Sequence, residues 1–160
     1  MLTPMSKPMA IVVFSALFCV NGCAAVKPEL TEREAINSLS IAYAQAFESN
    51  QVERVLSVVT DDFVAITPDK PPVSGRRALK EAIENDFSHM KVLALHFKLD
   101  EVFSTGDWGF ARGSSNGTIK MKATDQQVQL KGKFLWILRR NEKGIWKVAR
   151  DSAFGDEPPK

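Results

Sequence analysis

The spacing of apolar side chains changes once along the chain, near Val92. Before that residue, apolar positions recur every three or four residues, the period of a helix with one buried face. Thr31-Glu32-Arg33-Glu34 has the form of a capping box and predicts the start of a first helix. Similar start signals at Asn50, and at Ser74 or Gly75, predict a second and a third helix.

After Val92, apolar and polar residues alternate, the period of half-buried β-strands. Turn residues divide this region into four strands, and a shorter strand is predicted over 63–67. Gly109, Gly113 and Gly117 lie within one of the long strands and indicate bends or bulges. Helices followed by antiparallel strands predict an α+β fold, in which three N-terminal helices pack on one face of a curved antiparallel sheet.

The first 25 residues do not follow this pattern. Lys7 is their only charged side chain, and Ala10–Val20 is almost entirely apolar. A helix of that length spans about 16 Å, half of the roughly 30 Å hydrocarbon core of a bilayer. A positive start, a short apolar stretch and small residues after it are typical of a secretory signal peptide. A buried N-terminal helix is the alternative.

Val20-Asn21-Gly22-Cys23 resembles the bacterial lipobox, at which the cysteine becomes the acylated N-terminus of the mature protein. The resemblance implies a signal peptide over 1–22, lipidation at Cys23 and a tether over 23–29. In lipoproteins an acidic residue after the cysteine is linked to retention in the inner membrane, and Ala24 is not acidic. The resemblance therefore points to an outer-membrane lipoprotein of the cell envelope that faces the periplasm. Ordinary signal cleavage near Cys23 stays open, and it would release a soluble periplasmic or secreted protein.

Composition narrows the chemistry of the remaining chain, a domain over 30–154 with a polar tail over 155–160. The whole sequence has 21 Lys and Arg against 19 Asp and Glu, a formal charge of +2. Without a clustered basic face, we expect no nucleic-acid partner. Two Cys and two His are too few for a structural zinc site, and no phosphate loop or other cofactor motif is visible. We therefore expect neither a metal nor a cofactor.

Eight short motifs follow one another along 30–154: Tyr43–Phe47, the helix start Asn50–Glu53, Thr60–Phe63, Ser74–Leu79, Gly106–Gly113, Gly132–Trp136, Gly144–Val148 and Arg150-Asp151. In order and spacing they resemble SnoaL-like and ketosteroid-isomerase-like proteins of the nuclear transport factor 2-like superfamily. The resemblance implies a cone-shaped fold that encloses a conical apolar pocket for a small molecule. It also implies that two copies pair through the exposed face of the sheet.

In the steroid isomerases of this superfamily, a helix tyrosine, a carboxylate base and a protonated aspartic acid on a strand carry the reaction. Tyr43, the single tyrosine of the chain, takes the tyrosine position, whereas Thr67 and Trp136 take the positions of the two carboxyl groups. Neither replacement is a base or a buried acid, so we do not expect the steroid-isomerase mechanism, and whether the protein is an enzyme stays open. Asp69 and Asp151 are the carboxyl groups left for a rearranged site, and with Tyr43 they are the catalytic candidates.

Eight side chains are candidates for lining the pocket: Tyr43, Phe47, Phe63, Thr67, Arg112, Phe134, Trp136 and Arg150. For Arg112 and Arg150, the outer face of the sheet is the alternative position. Three functions follow from these candidates. The first is a cell-envelope lipoprotein that binds a small hydrophobic or amphipathic molecule without the full catalytic set. The others are an isomerase, dehydratase or cyclase with a rearranged acid–base site, and a dimerising interaction module.

Overall fold

The computed structural model describes residues 31–68 and 70–155. The predicted signal peptide over 1–22, the tether over 23–29 with Cys23, and Asp69 lie outside the described residues. Within the described ranges, three helices and six strands form one α+β unit. No helix in this part of the chain is both long and apolar enough to cross a membrane.

The three helices are α1 (Glu32–Glu48), α2 (Val52–Ser57) and α3 (Gly75–His89). Thr31 caps α1 as the sequence predicts: its backbone N–H donates to the Glu34 carboxylate at 2.8 Å, and its hydroxyl accepts from the Glu34 N–H at 3.3 Å. α2 begins differently, because Gln51 is its N-cap and provides no side-chain cap. Asn50 has a φ of 52°, and its side-chain amide binds the backbone N–H and C=O of Val92.

The six strands are β1 (Val59–Ile66), β2 (Val73–Ser74), β3 (Met90–Thr105), β4 (Trp108–Met121), β5 (Gln127–Arg140) and β6 (Trp146–Gly155). They form one sheet in the order β2-β1-β6-β5-β4-β3. Every neighbouring pair is antiparallel except β1 and β6, which are parallel. The predicted α+β fold with helices on a curved sheet is confirmed. Alternation alone did not indicate the parallel pair, because it fits either strand direction.

The sheet bends where β3 crosses close to Gly113. A Cβ atom at this position would lie 1.9 Å from the carbonyl oxygen of Lys98, so the strands approach this closely only because residue 113 is glycine. The β3–β4 register also shifts here, since Asp100 is an extra residue between Leu99 and Glu101. The bend gives the sheet a concave face.

Helices α1 and α3 pack on the concave face and share one core with it. Ile36 of α1, Ile83 of α3 and Leu138 of β5 are almost fully buried there. The apolar stripes of the helices and the apolar faces of the strands therefore pack into a single interior, as the sequence pattern predicts.

A bulge in β6 decides which of its side chains face this interior. Leu138 pairs with Val148, but the residue before Leu138 on β5 pairs with Arg150, so Ala149 is an extra residue in β6. Because side chains alternate along a strand, one extra residue reverses the faces of those that follow it. Val148 faces the core before the bulge, and Asp151, rather than Arg150, faces it afterwards.

Candidate functional site

The carboxyl group of Asp151 lies on the concave face between two hydrogen-bond donors. The Tyr43 hydroxyl donates to its Oδ2 at 2.9 Å, and the Trp136 indole N–H donates to its Oδ1 at 3.1 Å. The three side chains come from α1, β5 and β6, so folding alone brings them together. We refer to Tyr43, Trp136 and Asp151 as the Asp151 site.

Strand register and helix phase explain how these residues meet. Trp136 and Asp151 are directly paired across β5 and β6, so their side chains leave the sheet on the same face. Tyr43 follows Ile36 and Leu39 on the buried stripe of α1, and it is 4% exposed. The helix stripe thus places a phenol over the strand pair.

Aromatic rings in mutual contact surround the Asp151 site. The Tyr43 ring centroid lies 5.0 Å from that of Trp136, 5.7 Å from that of Phe97 and 5.1 Å from that of Phe47. The Phe134 ring lies 4.3 Å from Trp136. These rings fill the narrow end of the cone beside the Asp151 carboxyl group.

Burial raises the pKa of the Asp151 carboxyl to about 6, because a charged carboxylate loses hydration there. The hydrogen bonds from Tyr43 and Trp136 act in the opposite direction, since they stabilise the charged form. Burial, together with the nearby Asp151 charge, raises the pKa of Tyr43 well above its usual range. Tyr43 therefore stays a neutral donor, while Asp151 changes charge close to neutral pH.

The Asp151 site opens toward the wide end of the concave face. Asp151 as a whole residue keeps partial solvent exposure although its carboxyl group is buried, and Ala65 and Ala153 beside it are also partly exposed. Leu130 and Val128 share the β5 face that carries the buried aromatic residues, yet they are 43% and 36% exposed. Apolar side chains are thus uncovered at the wide end of this face.

Grooves of substantial volume lie elsewhere on the surface. One of about 640 Å³ runs between α1 and β3, and another of about 590 Å³ lies beside the turn that joins β5 and β6. Neither is lined by Asp151, Tyr43 or Trp136. The Asp151 site is therefore separate from both of these grooves.

The structure brings five of the sequence-predicted residues to this site: Tyr43, Phe47, Phe134, Trp136 and Asp151. Phe63 is 1% exposed and belongs to the apolar core. Asp69, the other predicted carboxyl group, lies outside the described residues.

Three predicted pocket residues lie away from the site. Thr67 follows the end of β1 and is exposed. Arg112 lies on the outer face of the sheet, where its Nε donates to Glu101 at 2.6 Å. Arg150 also faces outward, and its guanidinium donates to the backbone oxygen of Asp62 at 2.9 Å. The prediction that Arg150 points inward is corrected by the Ala149 bulge, which reverses the alternation.

Two features of the site were missed by sequence reasoning. Phe97 packs against Tyr43 and Trp136, and its only signal was its place on an alternating apolar face. The second missed feature is the pairing of Trp136 with Asp151 across β5 and β6. Arg140 pairs with Trp146 at the turn, and counting onward without a bulge would set Trp136 opposite Arg150 instead of Asp151.

The site can accept or release a proton near neutral pH, because a carboxyl group with a pKa of about 6 is present in both forms there. It also offers a hydrogen-bonding point within apolar surroundings. No cluster of three or more His, Cys, Asp or Glu side chains that could hold a metal ion occurs in the described part of the chain.

The outer face of the same sheet carries exposed apolar side chains. Phe103, Trp108 and Leu135 are 55%, 47% and 41% exposed. Phe103 also stacks on its strand partner Phe110, with ring centroids 5.9 Å apart. Contiguous exposed apolar surface of this kind is typical of a protein–protein contact.

Comparison with known proteins agrees with this architecture. Among solved structures, a ketosteroid isomerase-like protein from Erwinia carotovora atroseptica SCRI1043 is 30% identical, with a TM-score of 0.69 over 78% of this chain and 95% of that chain. A candidate aromatic ring hydroxylase from Novosphingobium aromaticivorans DSM is 28% identical, with a TM-score of 0.69 over 82% and 94% of the two chains.

A nuclear transport factor 2-like protein with a cystatin-like fold, also from Novosphingobium aromaticivorans DSM, shares the fold at 19% identity. Its TM-score is 0.63, over 79% of this chain and 83% of that chain. A search of curated protein sequences found no match. The sequence signature of the SnoaL-like domain matches residues 41–148, well over half of the chain, and this protein therefore belongs to the SnoaL-like domain family.

Proposed function

We propose that this protein binds a small hydrophobic or amphipathic molecule on the concave face of its sheet, with the Asp151 carboxyl group as the polar anchor. The observation that carries the proposal is the Asp151 site itself. A carboxyl group with two hydrogen-bond donors stands among aromatic rings, on a sheet face that also carries the exposed apolar side chains of Leu130 and Val128. Mostly apolar sites with a few well-placed polar groups are typical of small-molecule binding.

The packed aromatic rings occupy the narrow end of the cone, and they therefore limit where a ligand can lie. Its apolar part rests against Ala153, the next residue of β6 on the concave face, and one polar group reaches Asp151. A compact ligand with one polar end fits this arrangement.

Two neighbouring positions of β6 provide a matched test. Ala153→Leu adds bulk on the concave face beside Asp151, whereas Ser152→Leu adds it on the outer face. Purified variants are heated with a panel of apolar and amphipathic small molecules, and the shift in melting temperature is measured. We expect a compound that stabilises the unmodified protein to lose its effect on Ala153→Leu and keep it on Ser152→Leu. Equal shifts in both variants would place the binding surface elsewhere.

A second candidate function is proton-transfer catalysis of isomerase, dehydratase or cyclase type. The observation that favours it is the pKa of Asp151, which is raised to about 6 by burial and suits a general base near neutral pH. Tyr43 stays protonated and is placed to donate a hydrogen bond beside that base. Perturbed carboxyl groups of this kind are common at catalytic sites.

Hydrogen–deuterium exchange next to the carbonyl of cyclic ketones tests this candidate. Protein-catalysed exchange in D₂O, followed by NMR, should saturate with ketone and fall by about 10² or more in Asp151→Asn. The matched change Asp100→Asn, at a surface carboxylate paired with Lys98, should leave it unchanged. Exchange that never exceeds the buffer rate excludes the catalytic candidate and leaves ligand binding in place.

The cell envelope is the proposed location, and acylation at Cys23 the proposed anchor. The support is the lipobox-like sequence ahead of the domain. Pairing of two copies through the outer sheet face is proposed on the exposed Phe103, Trp108 and Leu135. Both proposals are compatible with ligand binding, because the concave face stays free in a pair formed through the opposite face.

A further inference from the structure

The Asp151 carboxylate lacks a positive partner within the described residues. The ion pairs of this part of the chain are formed by other carboxylates, and none includes Asp151. The neighbouring Arg150 turns to the outer face and binds Asp62. A buried carboxylate without a counter-ion costs free energy, and a ligand can recover it.

The two donors at the site stabilise the ionised form of the carboxyl group. An indole N–H donates and never accepts, so the contact from Trp136 favours a bare oxygen at Oδ1. The Tyr43 hydroxyl donates to the other oxygen. A carboxylate accepts about four hydrogen bonds, so about two acceptor positions are left for a ligand. What the site offers a ligand is therefore acceptor capacity and negative charge.

Every element around the carboxylate provides neutral groups. Tyr43 faces it from α1, Trp136 from β5 and Ala65 from β1, and burial and the two hydrogen bonds account for its pKa. The rings of Tyr43, Phe97 and Trp136 lie beside it, and aromatic rings attract cations. Charge and surroundings are both complementary to a positive group.

We propose that the ligand of this site is an organic cation, a protonated amine on a compact apolar body, whose ammonium group pairs with Asp151. This inference rests on the proposed small-molecule function and narrows it to one chemical class. The ammonium group donates to the free acceptor positions of the carboxylate, and the apolar body covers Ala153, the next concave-face residue of β6.

The test compares two probes of nearly the same shape, 2-phenylethylamine and the neutral 2-phenylethanol. Binding to the purified protein is followed through the NMR resonance of the Trp136 indole N–H, which lies at the carboxylate. We expect the amine to bind at least tenfold more tightly than the alcohol at pH 7.5. In Asp151→Asn this preference should vanish, whereas the surface control Asp100→Asn should keep it.

The pH dependence of amine affinity in the unmodified protein gives a second test, which does not depend on whether a variant folds. An ammonium ligand requires the ionised carboxylate, so its affinity should fall about tenfold between pH 7.5 and pH 5, as Asp151 protonates around its pKa of about 6. A carbonyl or alcohol ligand that accepts from the protonated acid would bind more tightly at pH 5.

Equal or tighter binding of the alcohol at pH 7.5, or amine affinity that rises at pH 5, overturns the cation inference and leaves ligand binding intact. If neither probe moves the Trp136 resonance at millimolar concentration, and the wider panel gives no melting shift, the proposed binding function fails with it.

Discussion

Trp136 and Asp151 stand directly opposite each other on β5 and β6, and the indole N–H of the first donates to the carboxylate of the second at 3.1 Å. Trp136 also takes the place where the resemblance to steroid isomerases puts a protonated aspartic acid. The carboxyl group on the concave face of this protein lies on the neighbouring strand, β6. Its donors are a tyrosine and an indole, and both favour the charged form.

Stability should depend on pH through Asp151. Its folded pKa of about 6 lies above the unfolded value of about 3.9, so the folded protein holds this proton more tightly. Relative to Asp151→Asn, the free energy of unfolding should therefore fall as pH rises from 4 to 7, by roughly 3 kcal/mol at most, and then level off. Urea unfolding across this range measures the difference. A gap between the two proteins that does not vary with pH would contradict the assignment.

Tyr43→Phe should raise the pKa of Asp151 above about 6, because it removes a hydrogen bond to the charged carboxylate. The free energy of unfolding should fall by about 1 kcal/mol. Titration of the Asp151 carboxyl carbon by NMR measures the pKa. Phe97→Leu is the control, since it disturbs the same ring cluster but leaves both donors in place. An unchanged pKa in Tyr43→Phe would mean that the hydroxyl does not hold the carboxylate in solution.

Gly113→Ala should destabilise the protein by about 1–3 kcal/mol. The added methyl group would lie 1.9 Å from the carbonyl oxygen of Lys98, so β3 would have to move away from β4. Gly155→Ala is the matched control, because an added Cβ there meets nothing within 4 Å. Urea unfolding of both variants gives the comparison, and equal stability of the two would show that the close strand crossing is relaxed in solution.

Phe103→Glu should weaken the proposed pairing through the outer face of the sheet by placing a charge in its apolar surface. Sedimentation equilibrium should show a dimer for the unmodified protein and a monomer for this variant. Ile41→Glu, at a residue of α1 that is 50% exposed and away from that face, should remain dimeric. An unmodified protein that stays monomeric at high concentration removes the pairing proposal.

Cys23→Ser should abolish the proposed membrane attachment, because the acyl chains have no other site in a lipobox-like sequence. Fractionation of bacterial cells expressing the full chain should find the unmodified protein with membranes. The variant should be processed differently or remain uncleaved, and metabolic labelling with a fatty acid should fail. Labelling that persists in Cys23→Ser would rule out this cysteine as the anchor.

Local patterns in the sequence predict the elements well. The capping box at Thr31 and the alternation over 127–140 give the start of α1 and the extent of β5, because both depend on neighbouring residues. The inward or outward direction of Arg112 and Arg150 depends on which strand face meets the helices. That choice is made by contacts between distant segments, which no local pattern records.

The Asp151 site shows the same division. Tyr43 and Trp136 could be chosen from the sequence because one lies on a helix stripe and the other on an apolar strand face. Their common partner could be named only as one of two carboxyl candidates. The Val148-Ala149-Arg150-Asp151 sequence carries no sign of an extra residue, since a bulge exists only relative to the strand beside it.

Ala149 has no functional group, yet it determines whether a basic or an acidic side chain lies opposite Trp136 on the concave face. With regular pairing, the side chain opposite Trp136 would be the guanidinium of Arg150, and the same aromatic cone would suit an anion. Because Ala149 is an extra residue in β6, Asp151 lies opposite Trp136 in place of Arg150. Within this fold, the preferred charge of a ligand can thus be inverted by gaining or losing a single residue in β6, with every residue that lines the cone still present in the sequence.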